Sequence, residues 1–93
     1  MPEWFSYMVR CSDNSLYTGI TTDIERRLHE HNHKHNGAAY TRTRRPVKLV
    51  YQESFTTRAE AAQREYAIRT LPKLKKEKLI DPQAASYFRS ACP

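Results

Sequence analysis

Cysteine is almost absent: Cys11 and Cys92 are the two thiols of a 93-residue chain. Their placement fits no disulfide framework of a small secreted domain, so both are expected to be reduced. Two thiols are also too few for a structural zinc site built on cysteine. Long apolar runs are missing. Nothing approaches the roughly 20 residues of a membrane span, and the N-terminus lacks the charged-then-apolar pattern of a signal peptide. A cytoplasmic protein with no membrane partner is the expectation. Acidic residues are in deficit, with 10 Asp and Glu against 16 Lys and Arg for a net charge of +6. That balance favours a polyanionic partner, nucleic acid above all. Repeats and low-complexity segments are lacking too. A chain this long holds one core, burying roughly 60 to 65% of its unfolded surface. One domain is expected, and a monomer by default.

What is present begins with aromatics. Residues 4 to 10, from Trp4 to Arg10, are aromatic and β-branched enough for a strand. Cys11 to Ser15 is turn chemistry, since Ser, Asp and Asn can bond their own backbone. Ser15 to Ile20 returns as a second strand. A register pairing Val9 with Tyr17 and Tyr7 with Gly19 puts both tyrosines on one sheet face as diagonal neighbours, whereas a slip of one residue separates them. Taken alone, such a pair is usually cross-strand packing.

A helix should follow from about Asp23 to His33. Thr22 and Glu25 have the spacing of a capping box, and Ile24 with Leu28 forms the core-facing stripe. Arg27 and His31 are one turn apart and border that stripe, while Arg26 points elsewhere. Phenol, guanidinium and imidazole together are the groups that activate water beside a phosphate and hold its charge. Arg27 also reads as an edge arginine snorkelling over the core. His29, His31, His33 and His35 are all the histidines of the chain. The pairs four apart, His29 with His33 and His31 with His35, could chelate a transition metal if the helix continued.

Asn36 to Pro46 reads as a loop. It carries Tyr40, Arg42, Arg44 and Arg45, with no acid between Arg42 and Lys48. This is a candidate phosphate-contacting ridge, with Tyr40 able to stack on a base, or simply a solvated charge run. Val47 to Tyr51 is the expected third strand. Thr57 and Glu60 repeat the capping-box spacing and open a helix to about Thr70. On it Glu65 lies on or beside the packed face, where a carboxylate needs a partner. A divalent cation would serve, as would Arg69 or Arg27. Pro72 to about Ile80 is a further helix. Its Lys73, Lys75, Lys76 and Lys78 form a second basic surface, Lys73 and Lys76 being its candidate nucleic-acid contacts. The tail from Gln83 carries no signal.

These residues together resemble the GIY-YIG endonuclease superfamily, and its small stand-alone bacterial members most closely. The most specific stretch runs from Leu16 to Arg27; the first signature tripeptide reads Phe5, Ser6, Tyr7 and the second Tyr17, Thr18, Gly19. The resemblance implies an α/β fold, an α+β sandwich of a three-stranded antiparallel sheet flanked by about three helices. It spans residues 1–80 as the nuclease domain, with 81–93 as a C-terminal tail. It further implies a site of Tyr7, Tyr17, Arg27, His31 and Glu65, with Glu65 binding Mg²⁺ or Mn²⁺. The expected activity is DNA phosphodiester hydrolysis with lenient choice of structure or sequence, in repair or recombination, RNA being a second candidate substrate. Two alternatives carry different chemistry. A non-catalytic nucleic-acid-binding module would use the same basic surfaces and be indifferent to Glu65, and a histidine-tract metal binder would depend on the four histidines alone.

Overall fold

A computed structural model describes residues 3–33 and 38–81. His35, Asn36, Gly37 and the tail from Gln83 therefore lie outside the described residues. The elements run β1 (Trp4–Arg10), β2 (Leu16–Thr21), α1 (Ile24–His33), α2 (Ala39–Arg42), β3 (Lys48–Phe55), α3 (Arg58–Arg69) and α4 (Lys73–Ile80). The fold is a three-stranded antiparallel sheet in the order β2-β1-β3 with four helices. One of the four, α2, is a single turn.

The hairpin closes through residues that bond their own backbone. Asp13 Oδ1 accepts from the Ser15 amide at 3.0 Å, and Asn14 takes the left-handed φ of 70° that short polar side chains tolerate. The resulting register pairs Tyr7 with Gly19 and Val9 with Tyr17, so both tyrosines share a face. Between Met8 and Val9 the β1–β3 pairing shifts by one, which keeps Leu49 on the Val9 face.

Two neighbouring residues of β1 fix which helix covers which face. Ser6 Oγ donates to the Ala61 carbonyl of α3 at 2.7 Å, whereas the Tyr7 hydroxyl bonds His31 of α1 at 2.8 Å. Successive strand side chains point to opposite faces, so α3 covers one side and α1 the other. The α1 side holds a core of Tyr7, Val9, Cys11 and Val47, against which Tyr17, Ile24, Leu28 and Leu49 pack. Met8, Ala61 and Ile68 are fully buried on the α3 side. The last helix is held partly by charge: Arg10 makes two bonds to the Glu77 carboxylate, at 2.9 and 2.6 Å.

Four expectations are corrected. The α1 cap is Asp23, whose Oδ1 accepts from the Arg26 amide at 3.1 Å, so the Thr22–Glu25 box is displaced by a cap one residue on. The 36–46 segment contains α2, whose Thr41 and Arg42 amides return to the Ala38 carbonyl. The second strand starts at Leu16 and ends at Thr21, one residue later at each end than expected. The third strand runs on to Phe55 rather than stopping near Tyr51. Its extension is polar because β3 is an edge strand, where charge is tolerated, and Glu53 is held by Tyr51 and Arg64. At the α3 start the expected cap is present, Thr57 Oγ1 accepting from the Glu60 amide at 3.2 Å.

Candidate active site

Glycine at position 19 is required by the aromatic ring across from it. A methyl group there would come within 2.6 Å of the Tyr7 hydroxyl oxygen, so the phenol lies directly over the bare backbone of β2. That placement carries it to α1, where Ile24 and Leu28 anchor the helix and His31, one turn beyond Leu28, is completely buried. Tyr7 and His31 bond through the phenol oxygen and Nε2 at 2.8 Å. His31 Nδ1 meets Thr41 Oγ1 of α2 at 2.8 Å. Tyr17 is half-buried and meets the His31 ring edge-on, with centroids 5.3 Å apart.

Arg27 completes the group. Its guanidinium favours the ionised form of the Tyr7 phenol by its charge and pairs with Glu30 at 3.0 Å. Arg26, mostly exposed, reaches the same carboxylate at 3.8 Å. A guanidinium can only donate, so towards Arg27 the Tyr7 oxygen can act only as an acceptor. Burial pushes the Tyr7 phenol up to about 12, outweighing the opposing pull of Arg27. Burial likewise lowers His31 to about 4, helped by the positive charges of Arg27 and Arg45 and opposed by Glu30. At neutral pH the site holds a protonated phenol beside a neutral imidazole.

A second tier is aromatic. Tyr40 stacks on Tyr17 at 5.9 Å and is partly exposed, and the Arg44 guanidinium lies 3.9 Å from the Tyr40 centroid. Arg44 is fixed by Asp13 at 3.0 Å and by the Tyr40 carbonyl at 2.8 Å. Arg45 donates to the His31 and Glu30 carbonyls, closing the C-terminal end of α1. Two of the three ridge arginines are thus built into the fold. Arg42 is exposed and has no side-chain partner among the described residues. On α4, Lys73 donates to the Asn14 carbonyl at 2.8 Å, and Lys76 is half-buried.

The structure brings Tyr7, Tyr17, Arg27 and His31 together on one face; it does not bring Glu65 into contact with them. Glu65 stands on α3, the helix covering the other face, and bonds Arg69 at 2.8 Å. The histidine tract divides. His31 turns inward, which takes it out of any chelating pair with His35, while the exposed His29 and His33 rings lie 4.6 Å apart. No three metal-ligating side chains gather among the described residues. A surface hollow lined by Arg10, Cys11, Pro46, Val47 and Lys48 lies near the hairpin turn and does not include the tyrosines.

Sequence reasoning passed over two polar residues here. Glu30 holds Arg27 beside the phenol, and its spacing of three and four from Arg27 and Arg26 was a usable signal. Thr41 gave none, because a threonine inside a basic loop is unremarkable until α2 places it against His31.

Two tyrosines of a three-stranded sheet thus face an arginine and a histidine of α1. The model of the GIY-YIG catalytic domain matches residues 3–78, and the chain belongs to the GIY-YIG family. A UPF0213 protein of Desulfotalea psychrophila is 52% identical over 93 residues, covering 96% of this chain and 84% of its own. A UPF0213 protein of Staphylococcus haemolyticus is 52% identical over 81 residues, covering 87% of this chain and 98% of its own. Among solved structures, the solution structure of a UPF0213 protein from Bacillus halodurans superposes with a TM-score of 0.56 at 39% identity, covering 91% of this chain and 89% of that one. A protein from E. faecalis gives 0.58 at 40% identity, covering 96% and 88%.

Proposed function

We propose that the chain is a divalent-metal-assisted endonuclease that hydrolyses DNA phosphodiesters with lenient choice of structure or sequence, RNA being a possible second substrate. Its catalytic unit is residues 1–80, with 81–93 as a tail. Its place of action is the cytoplasm, in DNA repair or recombination; no helix among the described residues is long and apolar enough to cross a membrane. The observation that carries this reading is the buried contact of Arg27, Tyr7 and His31. With the phenol at about 12, ionising Tyr7 at pH 7 costs about 7 kcal/mol. A resting tyrosinate is therefore not the base. Instead Tyr7 relays: as water attacks phosphorus, the water proton passes to the phenol oxygen while the phenol proton passes to His31 Nε2. The His31 cation, disfavoured in the free protein by burial and by Arg27 and Arg45, is favoured by the negative charge of the bound phosphate. Arg27 donates to the phosphate oxygens whose charge grows in the transition state, and Tyr17 orients the water or the phosphate.

Glu65 is the carboxylate that would hold the cation. A single carboxylate with no clustered imidazoles or thiols suits Mg²⁺ or Mn²⁺, which keep most of their shell as water and substrate phosphate. When bound, the ion would supply positive charge to the nucleic acid's phosphates from the α3 side of the sheet, apart from the contact of Tyr7 with His31. Its present partner, Arg69, is mostly exposed, and such a pair is worth about 1 kcal/mol or less, so a cation can displace it. Tyr40, Arg42, Arg44, Arg45, Lys73 and Lys76 form the proposed nucleic-acid surface.

Incubation of supercoiled, single-stranded and branched DNA with the protein, in Mg²⁺ and in chelator, tests the reading. Cleavage is expected in Mg²⁺ alone, and Glu65→Gln should abolish it while DNA binding persists. A folded Glu65→Gln protein that cuts at the wild-type rate removes Glu65 from the site. Wild type that cuts none of the three substrates favours the binding-module alternative.

A further inference from the structure

Three hydrogen bonds run inward through the molecule, and their direction is set at one end. The Ala38 carbonyl can only accept, and it accepts from Thr41 Oγ1 at 2.9 Å. Beyond it lie the contacts of His31 Nδ1 with Thr41 Oγ1 and of Tyr7 with His31 Nε2, each 2.8 Å. Each hydroxyl has one proton. The Thr41 proton goes to Ala38, so Thr41 receives a proton from His31, and Nδ1 must carry it. The Tyr7 proton then meets the bare lone pair of Nε2. Turning the Thr41 proton towards His31 instead would leave two bare oxygens, Thr41 Oγ1 and the Ala38 carbonyl, 2.9 Å apart with no proton between them.

We propose that Thr41 is a positioning residue of the proton relay: its hydroxyl holds His31 in the Nδ1–H tautomer, so that Nε2 faces Tyr7 as an acceptor. The role requires a buried hydroxyl whose own proton is already committed. Thr41 is completely buried, and α2 is the turn that sets it against His31, with Thr41 amide and hydroxyl both returning to Ala38. A neutral imidazole orients by the partner of its second nitrogen. Without that partner nothing prevents the ring from carrying its proton on Nε2, where it would point at the phenol and block transfer. The covalent balance is simple: Nε2 gains the phenol proton as the phenol gains the proton of water, and Nδ1–H stays bonded to Thr41 throughout.

This inference rests on the relay proposed above, but its first test is independent of cleavage. Long-range proton–nitrogen NMR correlations of ¹⁵N-histidine-labelled protein report which ring nitrogen of His31 carries the proton. Wild type should show Nδ1–H alone at neutral pH; an Nε2–H pattern in wild type overturns the proposal outright. Thr41→Val keeps the shape and removes the hydroxyl, and should give a mixture of tautomers, whereas Thr41→Ser should restore the wild-type pattern. On DNA, Thr41→Val should lower kcat about tenfold or more with KM unchanged, with recovery in Thr41→Ser. A folded Thr41→Val protein that keeps Nδ1–H and the wild-type kcat assigns Thr41 to packing alone. If wild type proves inactive on every substrate, the endonuclease reading fails while the NMR result still decides the role of Thr41.

Discussion

At the scale of single residues, burial sets the chemistry. His31 is lowered to about 4 because the interior, Arg27 and Arg45 all disfavour its cation. Between pH 6.5 and about 4 the unfolded chain takes up a proton at this site that the folded protein refuses, so acid favours unfolding. Stability should therefore be full above pH 6.5 and fall progressively towards pH 4, by about 3 kcal/mol in total from this group. Denaturant titrations across the upper part of that range, above the carboxylates, should show the slope, and His31→Gln should flatten it. A pH-independent midpoint in wild type between 6.5 and 4.5 would mean that His31 ionises as easily folded as unfolded. The same residues show what a sequence can and cannot disclose. That Tyr7, Tyr17, Arg27 and His31 share a face was legible because strand alternation and helical spacing each force one, whereas Glu65 was expected beside them and pairs with Arg69 instead. Glu30 had a signal in its spacing from Arg26 and Arg27, whereas the contact of Thr41 with His31 was not legible, since it is made only after α1 and α2 have packed.

At the scale of elements, local signals placed most segments, and tertiary contacts moved their ends. The β1 limits and the hairpin register follow from alternation and turn chemistry, and α3 starts at its capping threonine. For α1 the competition between neighbouring caps was decided by Asp23, whose amide also donates to Thr21 Oγ1 at 3.1 Å. The polar half of β3 and the single turn of α2 were hidden for opposite reasons. The former lacks the apolar alternation of a strand, and the latter is too short to show a helical period. The cap assignment is testable by thermal or urea melts. Asp23→Ala should cost about 1 kcal/mol, while Thr22→Ala should change stability by less than about 0.5 kcal/mol. Equal losses at both positions would restore Thr22 as a cap.

At the scale of the whole molecule, a net charge of +6 acts on a polyanion through individual cations, and the structure separates those held internally from those facing outward. Arg42→Gln should lower the slope of log affinity for DNA against log salt by about 0.9, the value of one released counterion per phosphate contact. Arg45→Gln should act first on stability, because Arg45 closes the end of α1. An unchanged slope for Arg42→Gln would make that arginine a bystander. All these surfaces converge in significance on one buried hydroxyl. Single-turnover cleavage of end-labelled DNA in Mg²⁺ by wild type and by Tyr7→Phe, both at saturating protein, measures the relay with binding removed from the comparison. The phenylalanine ring keeps the packing over Gly19 and loses only the oxygen. The relay predicts a rate at least about 10²-fold lower for Tyr7→Phe, with DNA affinity within about twofold of wild type. Cleavage by Tyr7→Phe at the wild-type rate would contradict it.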